Sequence, residues 1–79
     1  MEEQIKELTL LLLYLTSWTE KESYGEYQRA WKGYDFDILN KLQSENMIGG
    51  STHKAKSTYI TEKGIEKAKE LMRKYNIEN

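Results

Sequence analysis

Apolar side chains recur at helical spacing over four stretches of this chain, and two short stretches are β-like. Over residues 2–19, Ile5, Leu8, Leu11, Leu12, Leu15 and Trp18 fall on one side of a helix. Leu10, Leu13 and Tyr14 fall roughly opposite when each residue advances about 100° around the axis. The spacing predicts one helix over 2–19 that is apolar on two faces. Such a helix either runs through the middle of the domain or docks on a second copy. In the second case Leu10, Leu13, Tyr14 and Trp18 would form the dimer contact, where tryptophan is favoured.

Residues 20–26 are polar, contain Ser23 and Gly25, and read as a connector. Tyr27, Ala30, Trp31 and Tyr34 are spaced i, i+3, i+4 and i+7, which predicts a short helix over 26–33 ending near Gly33. Asp35 is suited to cap the next helix, over 36–46, because its carboxylate can accept hydrogen bonds from first-turn amides. Phe36, Leu39 and Leu42 give that helix a core-facing stripe, and Asn46 can take the left-handed conformation that ends it. Strands at about 47–48 and 58–60 would pair across a loop over 49–57 that begins with Gly49-Gly50. Thr61 then caps a last helix over 62–75 whose stripe is Ile65, Ala68, Leu71, Met72 and Tyr75. The expected fold is a mainly α winged helix-turn-helix with a small β-hairpin, forming one domain over 1–79.

With 79 residues, 38% of them hydrophobic and 32% charged with both signs, the chain has the composition of a small folded domain. No cysteine is present, which removes disulfides, thiolate nucleophiles and cysteine-ligated zinc together. His53 is the only histidine and has no second histidine to share a metal, so no metal and no cofactor are expected. The apolar run over 10–15 is far shorter than the roughly 20 residues of a bilayer span. The acidic start at Glu2-Glu3 lacks the positive region of a signal peptide, so the expected location is the cytoplasm with no membrane contact. Twelve basic against thirteen acidic residues give a formal charge of -1, less basic than a dedicated nucleic-acid binder usually is.

Leu39-x-x-Leu42, followed by a short strand, a wing and Tyr59-Ile60-Thr61-Glu62-Lys63-Gly64, resembles winged-helix proteins of the MarR and PadR type. In those regulators a Y-x-L-T-x-x-G junction leads into the last helix. Here Tyr59 sits one residue closer to Thr61. More narrowly, Arg29-Ala30-Trp31-Lys32-Gly33-Tyr34-Asp35-Phe36-Asp37 with Lys54-Ala55-Lys56-Ser57 resembles a family of small bacterial proteins of unknown function. That resemblance implies a bacterial origin and brings no activity with it.

Two function classes follow. In the first, the domain binds double-stranded DNA as a regulatory module, through a basic patch of Arg29, Lys32, Lys54 and Lys56 and the polar face Asn40, Lys41, Gln43 and Ser44. Asp35-Phe36-Asp37 opposes this, because carboxylates at the start of a reading helix repel phosphate. In the second, the domain is a protein-interaction or dimerisation module on the same scaffold, without DNA binding. Tyr27, Trp31 and Tyr34 either stack a ligand or base, or pack in the core as their helical spacing favours. The carboxylate pairs Asp35/Asp37 and Glu2/Glu3 stand without a nucleophile or phosphate loop, so no enzymatic activity is expected.

Overall fold

Three helices lie on one face of a four-stranded antiparallel sheet in a computed structural model that describes residues 1–23, 25–49 and 56–77. In chain order the elements are α1 (Glu2–Leu15), β1 (Trp18–Glu22), β2 (Gly25–Trp31), α2 (Phe36–Ser44), β3 (Ile48–Gly49), β4 (Ser57–Ile60) and α3 (Glu62–Lys74). The strands are ordered β1-β2-β4-β3, so β1 and β3 form the two edges. The fold is therefore mixed α and β rather than mainly α with one small hairpin.

The first correction concerns residues 2–19. The helix stops at Leu15, where the Thr16 and Ser17 hydroxyls donate to the carbonyls of Leu12 and Tyr14 at 2.7 and 2.6 Å. The same two carbonyls also accept the backbone amides of Thr16 and Ser17 at 3.0 and 3.1 Å, so the last turn is closed by both main chain and side chains before the chain leaves as strand β1. Trp18 thus belongs to a strand.

The second correction concerns residues 26–33, which form strand β2 and not a short helix. The same residues that match a helical spacing also alternate, with Tyr27, Arg29 and Trp31 on one face and Ala30 on the other. Alternation prevails because β2 has a partner on each side. β1 pairs with it from Trp18↔Arg29 to Glu22↔Gly25, and β4 from Gln28↔Ile60 to Trp31↔Ser57. Of the polar stretch expected as a connector, residues 20–22 belong to β1 and residues 25–26 to β2.

The core lies between the sheet and the helices. Ala30, Ile48 and Ile60 from the sheet meet Leu10, Leu11, Leu13, Leu39, Leu42 and Leu71 from the helices. Helix α1 packs on α2, α3 and β2. Its inward arc is the one carrying Leu10 and Leu13, exposed by 1% and 0%, with Tyr14 half-buried beside them. Three of the four residues expected at a dimer contact, Leu10, Leu13 and Tyr14, are thus turned inward and Trp18 stays exposed on β1, while Ile5, Leu8, Leu12 and Leu15 of the expected core stripe face solvent. Polar partners help set this rotation. Lys6 Nζ reaches Glu45 Oε2 at 2.5 Å, and the buried Glu7 carboxylate receives Lys74 Nζ at 2.9 Å and the Tyr75 hydroxyl at 2.9 Å.

Helix α2 begins as expected. The Asp35 carboxylate accepts from the amides of Asp37 and Ile38 at 2.9 and 3.2 Å, and Leu39 and Leu42 are buried. Phe36 stays exposed, outside the expected stripe. Asn46 has φ 62°, the left-handed conformation anticipated after this helix. Both α2 and α3 end a residue or two before the anticipated limits, β3 is displaced by one residue and β4 begins one residue early, within ordinary fraying. The expected loop over 49–57 lies largely outside the described residues.

One junction ties these parts together. The Thr61 amide donates to the Met47 carbonyl at 3.0 Å, and the Thr61 hydroxyl lies 2.6 Å from the Asn46 carbonyl while accepting from the Gly64 amide at 3.0 Å. A methyl group at Gly64 would overlap the Met47 carbonyl oxygen and press on Ile60. Gly64→Ala is therefore expected to lower stability by about 1–3 kcal/mol through overpacking, although alanine is the better helix former. Urea denaturation checks the sign, since a variant more stable than the parent would show that the contact has room.

The Glu7 contacts make a second prediction. Its hydrogen bonds from Lys74 and then Tyr75 hold the carboxyl below the ordinary carboxylate range. A carboxyl with a depressed folded pKa contributes stability above its unfolded value, about 4.3, and loses it as pH falls through the folded value. Thermal melts from pH 7 to pH 3 should show a shallower acid loss for Glu7→Gln than for the parent. An identical acid limb would remove Glu7 as a source of the pH dependence.

Candidate functional site

Two exposed apolar surfaces stand on opposite sides of the molecule. The first is the outer stripe of α1. Met1, Ile5, Leu8, Leu12 and Leu15 follow one another at intervals of four, three, four and three residues. That is the spacing of a coiled-coil seam, with Ile5 and Leu12 at one class of core position and Met1, Leu8 and Leu15 at the other. Ile5, Leu8, Leu12 and Leu15 are each 39–48% exposed, and they project away from Leu10 and Leu13. Gln4, Thr9 and Thr16 flank the seam, and the two threonine hydroxyls donate to the carbonyls of Ile5 and Leu12.

The second surface is the face of the sheet turned away from the helices. Residues opposite one another in an antiparallel pair share a face, and alternate residues along a strand do too. The register therefore gathers Trp18, Glu20, Tyr27, Arg29, Trp31 and Tyr59. Trp18, Arg29 and Tyr59 form one cross-strand row, with the cation between two rings. The Tyr27 and Tyr59 rings lie 6.0 Å apart and tilted by 54°, a favourable aromatic arrangement. Arg29 Nε donates to Ser57 Oγ at 3.3 Å, and Trp18 Nε1 donates to Glu20 Oε2 at 2.9 Å. Trp31 sits over Gly33, where a methyl group would overlap its ring, and meets Tyr34 edge-on at 6.0 Å.

This placement divides the aromatic residues singled out in the sequence. Tyr27 and Trp31 reach the open face, whereas Tyr34 packs against the core. Tyr59 and Trp18 join the platform without having been assigned to it. The signal that would have found them is the period of two in Trp18-x-Glu20 and Tyr27-x-Arg29-x-Trp31.

The polar candidates do not form one patch. Arg29 lies on the outer face of the sheet, while Asn40, Lys41, Gln43 and Ser44 are exposed on α2, which packs on the inner side. Lys41 Nζ is 3.5 Å from a Glu2 carboxylate oxygen, and Ser44 Oγ donates to the Lys41 carbonyl. Lys32 follows β2 and donates its amide to the carbonyl of the exposed Lys56 at 3.1 Å, so these two cations flank the Trp31 end of the sheet. Lys54 and His53 lie outside the described residues. The amides at the start of α2, the natural place for a phosphate, already have the Asp35 carboxylate as their acceptor.

A groove of about 750 Å³ opens between the β1–β2 hairpin and the start of α3, lined by Thr19, Gln28, Tyr59, Thr61 and Lys63 among others. Tyr27, Ile60 and Ile65 make much of its wall apolar, and its hydroxyl, amide and charged groups do not converge on one chemistry. Among the described residues, no cluster of three or more histidine, cysteine, aspartate or glutamate side chains could hold a metal ion. Among the same residues, no helix is long and apolar enough to cross a membrane.

The model of a family described as "Domain of unknown function (DUF6429)" matches residues 1–78. The chain is also similar to "Uncharacterized protein y4hR" from Sinorhizobium fredii, a bacterial relative. The two are 32% identical over 73 residues, which cover 92% of this chain and 89% of that protein. No solved structure matches the chain. These findings agree with the expectation of a small family without an assigned activity.

Both tryptophans of the chain are on the open sheet face, at 43% and 59% exposure. Acrylamide should therefore quench the emission of the native protein nearly as well as that of the urea-unfolded chain. Strong protection of either tryptophan at low protein concentration would contradict this placement.

Proposed function

We propose that this chain, which belongs to the DUF6429 family of domains of unknown function, is a self-associating interaction module that pairs with a second copy through the outer stripe of α1. The observation that carries this reading is the unbroken four-three-four-three run of exposed apolar side chains from Met1 to Leu15. A seam of that spacing is complementary to its own copy, because each side chain fits a gap between four on the facing helix. An isolated exposed leucine is ordinary, but four aliphatic side chains in register along a helix of 14 residues, continued by Met1 at its N-cap, form a contiguous strip about 21 Å long.

The energetics support a modest complex. Covering a half-exposed leucine or isoleucine contributes about 1 kcal/mol. Eight such side chains in a pair, with the more exposed Met1 of each copy adding about as much again per residue, exceed the lower estimates of the association cost, about 4 kcal/mol, and give an affinity on the order of tens of micromolar. The role proposed with it is non-enzymatic and cytoplasmic, with no cofactor.

A second reading takes the scaffold as a winged helix that holds double-stranded DNA. The exposed Asn40, Lys41, Gln43 and Ser44 on α2 favour it, as do β3 and β4 in the position of the wing strands. It is the weaker reading for three reasons. Strand β2 precedes α2 where a helix-turn-helix pair would have a helix, Asp35 occupies the α2 amides, and Arg29 faces the other side of the sheet.

Sedimentation velocity between about 5 and 500 µM should show the parent protein passing from monomer to dimer, as that affinity requires. Leu8→Glu and Leu12→Glu should hold it monomeric with little change in melting temperature, because both side chains are exposed in the single chain. A sedimentation coefficient independent of concentration across that range would end the proposal.

A further inference from the structure

Helix α1 departs from an ordinary surface helix, whose aliphatic stripe faces the core and whose charges face water. Its outward side carries Ile5, Leu8, Leu12 and Leu15. Lys6 and Glu7 lie on its covered side instead, with side chains 12% and 9% exposed. Burying charged groups costs free energy that their partners have to offset. A turn of the helix that put Lys6 and Glu7 in water and the aliphatic stripe on α2, α3 and β2 would remove that cost. The same turn would expose Leu10 and Leu13, which are now fully covered. Each position of α1 therefore buries one aliphatic arc and leaves the other in water. The two arcs are about half a turn apart, since Leu10 and Leu12 are separated by about 200° around the axis.

Polar contacts choose between these positions. Glu7 receives Lys74 and Tyr75 from the end of α3 at 2.9 Å each, and Lys67 of the same helix adds its charge. On the other flank, Lys6 is shared between Glu3 of its own helix and Glu45 at the end of α2. The Lys74 side chain is 56% exposed, so the α3 half of this arrangement can be released from the solvent side.

We propose that α1 is a two-position helix and that the Glu7–Lys74–Tyr75 contact is the latch that keeps its aliphatic seam facing outward. The inference rests on reading that seam as the self-association surface, which an open latch then withdraws. With the latch open, α1 rolls by about half a turn and Ile5, Leu8, Leu12 and Leu15 enter the core. The Thr16 and Ser17 hydroxyls give up their bonds to the Leu12 and Tyr14 carbonyls as the last turn re-forms. A second copy binds only the outward position, so the latch and the copy favour the same state.

The chain has no cysteine, so a single introduced thiol reports the rotation. Leu12→Cys places one on the outer arc and Leu13→Cys one on the inner arc. Their reaction with a maleimide is followed at pH 7 and about 1 µM protein, well below the affinity expected for the pair. With Glu7 in place, the thiol of Leu12→Cys should react fast and that of Leu13→Cys slowly. Adding Glu7→Gln should raise the Leu13→Cys rate about tenfold and lower the Leu12→Cys rate. Lys74→Gln should do the same more weakly, because Tyr75 keeps its bond to Glu7. Glu7→Gln alone should weaken self-association about tenfold in sedimentation. Unchanged rates at both thiols would overturn the proposal, as would acceleration at Leu13→Cys without slowing at Leu12→Cys, which is local unfolding rather than a roll. Should Leu13→Cys fail to fold by circular dichroism, Leu12→Cys decides alone, since only a roll slows an exposed thiol. A parent that stays monomeric ends the self-association reading separately and leaves the thiol rates to decide the latch.

Discussion

The close approach of α3 to the turn after α2 is the contact on which the rest of the structure depends. Thr61 and Gly64 sit directly on the backbone of Asn46 and Met47, with an amide, a hydroxyl and a missing side chain each used. Lys63 adds a hydrogen bond to the Glu45 carbonyl. Because β4 leads straight into Thr61, this junction also sets how β4 meets β3. It therefore aligns the sheet, α2 and α3 at once, and gives α1 a groove to fill.

Helix α1 fills that groove with leucines and fastens it with ion pairs. Lys6 ties it to the end of α2 through Glu45, and Glu7 ties it to the end of α3 through Lys74 and Tyr75. Contacts at both flanks fix the rotation of α1 about its own axis. That rotation leaves Ile5, Leu8, Leu12 and Leu15 outside, so the stripe facing solvent follows from how the core is assembled. A hydrophobic outer stripe on a helix already anchored on its inner side is the feature from which the self-association is proposed.

The sheet shows the same division of labour. Small residues such as Ala30 and Thr58 face the helices and allow close layers, while the rings of Trp18, Tyr27, Trp31 and Tyr59 occupy the other face. Gly33 leaves space for the Trp31 ring beside the strand end. The outer stripe of α1 and the aromatic face of the sheet thus lie on opposite sides of the two packed layers.

Local signals in the sequence determined much of the helical framework. Asp35 and Thr61 were legible as caps because their side chains complete hydrogen bonds within a few residues, and Asn46 as a helix end because few other residues tolerate positive φ. A family of unknown function was likewise expected, and DUF6429 is one. Tertiary structure alone decided two matters. Residues 25–31 satisfy both a helical and an alternating period, and only pairing with β1 and β4 on both sides selects the strand. Helix α1 has two apolar arcs, and only Glu45, Lys74 and Tyr75, distant in sequence, turn one of them inward. In both cases the local pattern allowed two answers of similar energy, and partners from far along the chain made one of them favourable.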